Sequence, residues 1–386
     1  MGAGLAGLMA GEQLAAAGAE VVVREGRERI GGRVWSRTLH NGATVEMGAE
    51  FITQGYELLP ATVERLGLSL APMGMSFSLR EPRGGIGTSE PALQAAWEAT
   101  EAAVGSGAAE GLSVAQLLGR LDIDNGAREL LDCRIAVSYA QATDRIAATA
   151  VRDVAHLFEP VETHRTDGGN GLIATGLAKF LEVHTSAPVS SIRHDPTGVS
   201  VDGEAPVDEC VIAVPAPAVA RIAFDPPLPD WKSAALDRVV YGQAAKLFVP
   251  LSAPAEPSSV LSVPERFWTW TARGGSGAVL PVVSAFAGSP QAVAALADGD
   301  AYLRRVRALR PDLALDEAHA LESTWPEGAY STVPPDRPQD DAALLARAVG
   351  RLHFAGEHTE DVWYATMEGA LRSGVRASDE ITSAGL

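Results

Sequence analysis

The sequence begins with a G-x-G-x-x-G pattern formed by Gly2, Gly4 and Gly7. In a βαβ unit such glycines permit a tight turn, close approach of the backbone to a pyrophosphate, and close packing of the helix on the strand. The pyrophosphate lies at the helix N-terminus, where free N–H groups and the helix dipole favour an anion. Glu25 then occupies the place of the acidic residue that binds a pair of ribose hydroxyls. The pattern predicts a dinucleotide-binding α/β fold.

The strand that normally precedes this pattern is expected to be missing, because only Met1 stands ahead of Gly2. Two explanations fit this feature. The start codon was assigned too late, so that the strand is encoded upstream, or the chain is a truncation that binds its cofactor poorly. The intact pattern of the remaining sequence favours the first explanation.

Composition limits the classes of protein that this chain can belong to. Its 386 residues, 46% of them apolar, suffice for a large core and two domains. A net charge of −18 argues against a nucleic-acid partner, which requires clustered Lys and Arg. The acidic surface could steer cationic substrates or simply keep the protein in solution.

Neither a membrane nor a metal is expected. No apolar stretch reaches the length that crosses a bilayer, and the N-terminal residues lack a basic segment and are interrupted by Glu12, which favours a cytoplasmic protein. Cys133 and Cys210 are far apart and form neither a disulfide framework nor a metal motif.

Hydrophobic periodicity indicates a discontinuous arrangement of α/β segments. A helix over residues 5–17 and a short strand over 20–23 begin the chain, and further nucleotide-type pieces lie in the middle and at the end. The closing helix, over 368–381, contains Gly369 and Gly374, which suggests that another element packs very close to it. Between these pieces the pattern predicts helices over 91–159, strands over 181–214 and 236–287, and a single helix over 291–310.

The segment that follows Glu25 narrows the class of cofactor. Paired glycines ending at Gly32 precede Arg33, as expected of a loop that crosses a dinucleotide a second time with an arginine neutralising phosphate. With this segment, which also contains Arg27, the chain resembles the flavin-containing amine oxidases and their wider FAD-binding superfamily. The resemblance implies an FAD-binding Rossmann-like domain formed by residues 1–70, 160–235 and 322–386. An inserted α+β substrate domain would comprise residues 71–159 and 236–321.

Further cofactor contacts are implied by the family's closing motif, which residues 354–359 and 365–374 resemble. Within it, Gly356 and Glu357 would lie at the ribityl-phosphate region. The backbone at Thr366 and Met367 would face the pyrimidine side of the flavin, where a helix N-terminus stabilises negative charge.

Two central segments complete the cofactor site that the resemblance implies. Gly48 and Ala49 belong to a segment similar to the loop that passes under the isoalloxazine ring. Val189 stands where the family's backbone contacts adenine, although a plain strand-core valine would produce the same pattern.

Lys246 is the sharpest catalytic candidate. It lies in a segment, residues 241–248, that resembles the family's strand carrying a lysine, which holds a water against the flavin N5 edge. A lysine at the edge of a sheet, with its charged end reaching solvent, is the alternative reading.

The resemblance also implies a substrate site with one aromatic wall. Residues 325–331 match the segment that supplies this wall, so that Trp325 would lie beside the cofactor and Tyr330 in front of the flavin. Ala329 replaces the cysteine that binds the flavin covalently in mitochondrial monoamine oxidases, so FAD is expected to be noncovalent. Thr366 replaces the tyrosine of the second wall, which predicts a wider or differently shaped substrate.

The reaction implied by the resemblance is oxidation of a C–N bond in a small amine. Hydride equivalent passes to flavin N5, and oxygen reoxidises the flavin to give hydrogen peroxide and an imine that hydrolyses. Two alternatives remain open: a desaturase or dehydrogenase acting on a C–C bond, and a noncatalytic remnant. A homodimer is compatible with the resemblance. Phe267, Trp268 and Trp270 either line the substrate cavity or form the core of the inserted domain.

Overall fold

The computed structural model describes residues 1–76, 78–151, 161–325, 328–338 and 340–383. The predicted first helix and strand are present as α1, Leu5–Ala16, and β1, Val22–Arg24. The helix begins directly after Gly4, whose extended backbone places it at the N-cap without a side-chain cap. The chain leaves the helix through Gly18, whose φ of +98° is the left-handed conformation that glycine adopts without strain.

The remaining helices alternate with short strands along the chain. They are α2 Leu58–Arg65, α3 Glu90–Gly105, α4 Val114–Arg120, α5 Asn125–Tyr139, α6 Gly171–Ala178, α7 Ala216–Val219, α8 Asp230–Asp237, α9 Pro290–Ala295, α10 Gly299–Leu309, α11 Asp341–Ala346 and α12 Met367–Ser383. Short 3-10 helices occupy Thr143–Arg145, Glu317–His319 and Glu357–Thr359.

The strands that follow β1 are mostly three to seven residues long. They are β2 Ser36–Thr38, β3 Thr44–Glu46, β4 Leu70–Pro72, β5 Glu81–Arg83, β6 His164–Thr166, β7 Glu182–His184, β8 Ser191–Asp195, β9 Gly198–Val201, β10 Cys210–Ile212, β11 Ala223–Asp225, β12 Val240–Tyr241, β13 Ala244–Pro250, β14 Ser258–Ser262, β15 Phe267–Thr271, β16 Val282–Gly288, β17 Leu321–Thr324, β18 Ser331–Thr332 and β19 Leu352–Phe354.

Parallel pairing joins the head, the middle and the tail of the chain. β1 pairs with β7, and β10 pairs with β19. The first residues lie between these two pairs: the Gly2 N–H donates to the carbonyl of Arg24 at 2.7 Å, and the Ala213 N–H donates to the carbonyl of Met1 at 2.9 Å. The terminal ammonium of Met1 donates to the carbonyl of Val211 at 2.7 Å. The discontinuous parallel α/β arrangement predicted from the sequence is therefore present.

Close backbone contacts explain the glycines of the closing helix: α1 lies against Gly374, and the turn before α12 lies against Gly369. A Cβ atom at Gly374 would lie 2.4 Å from the carbonyl oxygen of Ala6, and one at Gly369 would lie 2.0 Å from that of Trp363. Gly7 has a similar constraint, since its Cβ would lie 2.0 Å from the carbonyl oxygen of Gly2. Only glycine permits these approaches, as the sequence predicted for the closing helix.

The strands predicted over residues 236–287 form most of a six-stranded sheet in the order β17-β13-β16-β15-β14-β5. Its pairs are antiparallel except β14 with β5. The helices α3, α4 and α5 enclose a separate apolar cluster that includes Trp97, Leu117 and Ile135. Residues 152–160 of the predicted helical region lie outside the described residues.

The single helix predicted over residues 291–310 is wrong. The structure has two helices there, α9 and α10, separated at Asp298. The Asp298 carboxylate accepts a hydrogen bond from the Asp300 N–H at 3.2 Å, so it caps a new helix instead of continuing the previous one. The periodicity of apolar residues continues across this break, so a prediction from periodicity alone treats α9 and α10 as one helix.

Candidate functional site

A cavity of about 520 Å³ lies where the head, middle and tail of the chain meet. Nearly every residue that the sequence assigned to cofactor or catalysis contributes to its lining: Gly2, Gly4, Glu25, Arg27, Gly32, Arg33, Gly48, Ala49, Val189, Lys246, Trp325, Tyr330, Gly356, Glu357, Thr366 and Met367. Gly7 is the exception, because it is buried and packs against Gly2 and Ala213 behind the cavity. Pro326 and Glu327 of the predicted cage segment lie outside the described residues.

The glycine-rich end of the cavity has the form of an anion cradle. The backbone of Gly2 has a φ of +87°, and the α1 N-terminus at Gly4 has no side-chain cap. A Cβ atom at Gly4 would meet nothing within 4 Å, so that side of the residue is open. Gly32 comes so near that its own Cβ would lie 3.3 Å from the Gly4 Cα. Uncapped helix N–H groups beside an open glycine surface fit a pyrophosphate.

The Glu25 carboxylate is held by backbone donors at the side of this cradle. Its Oε2 accepts a hydrogen bond from the Ala3 N–H at 2.8 Å, and its Oε1 accepts one from the Arg27 N–H at 2.9 Å. An ionised carboxylate offers about four acceptor positions, so these bonds orient Glu25 and leave acceptor capacity toward the cavity. The arrangement fits a pair of ribose hydroxyls.

Arg33 and Glu357 form an ion pair at the cavity wall, with 2.7 Å between Nη1 and Oε1. The same Nη1 donates to the carbonyl of Ala329, and Glu357 also accepts hydrogen bonds from the Ser331 hydroxyl and from the Ala365 N–H at 2.7 Å. Burial alone would raise the pKa of Glu357, but the charge of Arg33 and the hydrogen bonds from Arg33 and the Ser331 hydroxyl hold it below the ordinary value. The pair joins three of the predicted cofactor segments.

The Lys246 ammonium reaches the cavity from β13 and is almost completely buried. Its Nζ donates to the carbonyls of Glu46 at 2.6 Å and Gly48 at 3.0 Å, and it lies 2.9 Å from the carboxylate of Glu50. The alternative of a solvent-reaching edge lysine is wrong, since β13 lies between β16 and β17. An ammonium group has three donors, so a water held by Lys246 would have to replace one of these partners.

Tyr330 and Thr366 line the cavity, and their hydroxyl groups form hydrogen bonds with other residues of the protein. The Tyr330 hydroxyl donates to the carbonyl of Ser138 at 2.7 Å, and burial raises the pKa of this phenol well above its ordinary value. The Thr366 hydroxyl donates to the carbonyl of Trp363 at 2.7 Å and accepts from the Gly369 N–H at 3.0 Å. Thr366 thus caps the first turn of α12, while Tyr330 presents a fixed aromatic ring.

The aromatic residues of β15 belong to the core. Trp268 and Trp270 stack with 4.3 Å between ring centroids, are 2% and 1% exposed, and pack with Met73 and Cys133. Neither they nor Phe267 contributes to the cavity lining, where Phe286 of β16 stands instead. Of the two possibilities left open by the sequence, the one in which these residues form core is correct.

Sequence reasoning missed several polar residues that organise the site. Glu50 directly follows Gly48 and Ala49, but no role in the site was assigned to it from the sequence. Asn170 follows a Gly-Gly pair that matches no motif of the site. His358 lines the cavity, and burial lowers its pKa to about 4, so its imidazole is neutral at pH 7. The roles of these residues depend on contacts with residues that are distant in sequence, so no local sequence signal could have identified them.

Two further observations concern metals and membranes. Within the described ranges, His40, Asp316 and His319 bring ligand-type atoms within 4.8 Å of one another, and none of the three lines the cavity. No helix among the residues that the structure describes has the length and apolar character needed to span a bilayer.

Comparison with known proteins agrees with this geometry. The chain is 27% identical to a putative flavin-containing monoamine oxidase, AofH, of Mycobacterium tuberculosis, over 99% of this chain and 96% of that protein. It is 30% identical to lysine-specific histone demethylase 1 homolog 1 of Arabidopsis thaliana, over 99% of this chain and 51% of that protein.

Solved structures share the fold. Putrescine oxidase, in a structure of the wild type bound to putrescine, superposes with a TM-score of 0.84 at 21% identity, covering 99% of this chain and 98% of that one. Cyclohexylamine oxidase from Brevibacterium oxydans superposes with a TM-score of 0.83 at 20% identity, with the same coverage. The predicted mixed α/β architecture is thereby confirmed.

The family model described as flavin-containing amine oxidoreductase matches residues 5–382, which is nearly the whole chain. This match confirms the predicted oxidoreductase class and the predicted cofactor, FAD. The chain belongs to the flavin-containing amine oxidoreductase family.

Proposed function

We propose that this protein is an FAD-dependent oxidase of a small amine, with dioxygen as the electron acceptor. The observation that carries the proposal is the convergence of four distant groups on one cavity: the Gly2–Gly4 cradle, Glu25, the Arg33–Glu357 pair and Lys246. Bound FAD would supply the redox chemistry, namely a two-electron oxidation of the C–N unit coupled to reduction of dioxygen to hydrogen peroxide, with an imine that water hydrolyses as the other product.

The chain's own residues hold the cofactor in this proposal. The N-terminus of α1 binds the pyrophosphate, Glu25 binds the ribose hydroxyls, and Val189 lies against the adenine. Arg33 and Glu357 bind the phosphate and ribityl portion. The N-terminus of α12, whose first residue Met367 lines the cavity, would hold the pyrimidine side of the ring with the positive end of its dipole.

Attachment of FAD is proposed to be noncovalent. Ala329 lines the cavity beside Tyr330, and a methyl side chain cannot form the thioether that a cysteine at this place would provide. The described cavity residues also include no cysteine, because Cys133 and Cys210 are buried elsewhere.

The substrate is proposed to approach along a single aromatic wall. Tyr330 presents a ring fixed by its bond to Ser138, while Thr366 is too short to form a second wall. An amine must lose its proton before hydride transfer, and an apolar surface favours the neutral form by desolvation. Tyr330 and Phe286 supply such a surface, so the chain demands no side-chain base for that step.

A flavin spectrum followed by an anaerobic amine panel tests the proposal. The protein with FAD should be yellow, and a good amine should bleach the flavin without air, after which oxygen should restore the colour with formation of peroxide. Bleaching by an apolar compound with no amine would favour oxidation of a C–C bond. A protein that neither turns yellow nor quenches FAD fluorescence would be the noncatalytic remnant.

A further inference from the structure

Five successive backbone carbonyls, those of residues 46–50, are all bound by side chains from other parts of the chain. This segment begins at the end of β3 and lines the cavity through Gly48 and Ala49. The bonds run from Lys246 to Glu46 and Gly48, from Ser323 and Trp325 to Met47, and from Asn170 to Ala49 and Glu50, with lengths of 2.6 to 3.2 Å. Four side chains therefore fix the backbone of a segment that has no regular structure beyond Glu46.

Lys246 makes two of these bonds, and Glu50 holds Lys246. The Glu50 Oε2 lies 2.9 Å from the Lys246 Nζ, with the two side chains 2% and 4% exposed. The other oxygen, Oε1, accepts from the Trp270 indole N–H at 3.2 Å and lies 3.5 Å from the Arg165 guanidinium. Trp270 belongs to the buried aromatic core of β15, so the carboxylate is also anchored outside the loop.

We infer that Glu50 is a positioning residue that acts through Lys246 to fix the backbone of residues 46–50 against the flavin. This inference rests on the proposed function, since it assigns the segment a place in the flavin site. Glu50 is itself the last residue of that segment. Its contact with Lys246 therefore joins the end of the segment to β13, the strand whose lysine also binds the carbonyls of Glu46 and Gly48.

Charge explains why a carboxylate is required at residue 50. A buried ammonium is stable only with a counter-charge and complete hydrogen bonding. Arg165 adds a second positive charge beside the pair, and Glu46, the other nearby carboxylate, directs its own oxygens to the Asn170 N–H and the Ser36 hydroxyl. Without Glu50 the Lys246 ammonium would face a cation and two carbonyls, so it would withdraw from them and release Gly48.

The water-holding role that the family resemblance implies for Lys246 makes a different prediction. In that case Lys246 acts on the flavin directly, and loss of Glu50 would free a donor for water without changing the backbone. In the positioning arrangement, loss of Glu50 and loss of Lys246 disturb the same carbonyls and hence the same flavin contacts. The two roles are separated by flavin affinity, which a water at the flavin edge does not set.

The test uses the FAD-loaded protein and compares Glu50→Gln, Lys246→Met and the control Glu322→Gln, which lies on β17 outside the network. We expect Glu50→Gln and Lys246→Met to weaken FAD binding by about ten- to a hundredfold, the usual effect of removing buried partners that orient a site. Both should also change the visible spectrum of the bound flavin in the same direction, whereas loss of an anion and loss of a cation by themselves would move the flavin midpoint potential in opposite directions. The control should match the wild type in all three measurements.

A second variant separates positioning from stability. Glu50→Met combined with Lys246→Met removes both charges of the ion pair, so the thermal midpoint of the apoprotein should recover part of the loss seen in Glu50→Gln, while Arg165 and Trp270 still lose their contacts with residue 50. The carbonyls of Glu46 and Gly48 still lack donors, so FAD affinity should stay altered. Wild-type affinity in this double variant, or in Glu50→Gln, would overturn the inference. Failure of the wild type itself to bind FAD would instead refute the proposed function.

Discussion

The guanidinium of Arg33 and the carboxylate of Glu357, which are 324 positions apart in the sequence, meet at 2.7 Å beside the cavity. We predict that Glu357→Gln lowers the free energy of unfolding by about 2 to 3 kcal/mol, somewhat less than a fully buried pair because Arg33 is 24% exposed. Denaturant unfolding of the apoprotein measures this change. An unchanged unfolding midpoint would show that the pair contributes no net stability.

Acid should remove the contribution of the same pair. The pKa of Glu357 is held below its ordinary value of 4.5, so its stabilisation is fully present above that value and is lost as the pH falls further through the folded-state pKa. We therefore expect the stability difference between wild type and Glu357→Gln to be constant from pH 5 upward and to shrink below about pH 4.5. A difference that grew on acidification would contradict this assignment.

Lys232 adds a second rise of stability with pH, in a higher pH range. This buried lysine donates to the carbonyls of Leu344 and Leu345, and burial lowers its pKa to about 7. Between pH 7 and 9 the unfolded state binds more protons than the folded state at this group, so stability should rise with pH by about 2 kcal/mol. The Lys232→Met variant should lose that rise, as unfolding free energies at the two pH values would show. Above pH 9 the buried Cys133 thiol, whose pKa burial raises to about 12, opposes this rise.

Glu25→Gln should weaken FAD retention by roughly tenfold or more, because a hydrogen bond to a charged acceptor contributes about 1.5 to 3 kcal/mol. Titration of FAD fluorescence measures the dissociation constant directly. Glu20→Gln, at an exposed position near the same strand, is the matched control. Equal retention in Glu25→Gln and the control would remove the ribose contact from the site.

The state of the flavin after denaturation tests the role of Ala329. Precipitation with acid should release all of the flavin into the supernatant, since the residue beside Tyr330 has no sulfur to bind it. Absorbance of the supernatant and of the washed pellet measures the distribution. Colour that stays with the denatured chain would contradict noncovalent attachment.

Tyr330 should contribute through its ring more than through its hydroxyl. Tyr330→Phe removes the bond to the Ser138 carbonyl and should reduce kcat/KM by less than about tenfold, a loss near the net value of one neutral hydrogen bond. Tyr330→Ala removes the wall itself and should reduce kcat/KM further, mainly through misplacement of the substrate. Steady-state rates with the best amine of the panel give both values, and equal losses would show that the hydroxyl is the essential part.

Local sequence patterns predicted the parts of the site that are encoded locally. The glycines at positions 2 and 4 and the carboxylate of Glu25 follow from the geometry of one βαβ unit, so spacing alone indicated them. The family resemblance added Lys246 and Tyr330, and the structure places both on the cavity. It could not indicate that Lys246 is held by Glu50, because that contact joins two positions 196 residues apart.

Burial and helix capping explain the features that the sequence pattern left open or predicted wrongly. Trp268 and Trp270 have the alternation expected of either a cavity wall or a core, and only the surrounding Met73 and Cys133 settle the question. The break between α9 and α10 depends on one capping aspartate, Asp298, whose effect an apolar periodicity cannot reveal.

The contact of Gly374 with Ala6 has a consequence for biosynthesis. The helix α12 packs directly on α1, although most of the sequence lies between them, so α1 stays without this partner until α12 has been synthesised. Domains often fold as units while they emerge from the ribosome, with the N-terminal part first. Here the surface of α1 that packs on α12 is covered only when α12 joins it, so this part of the fold is completed late.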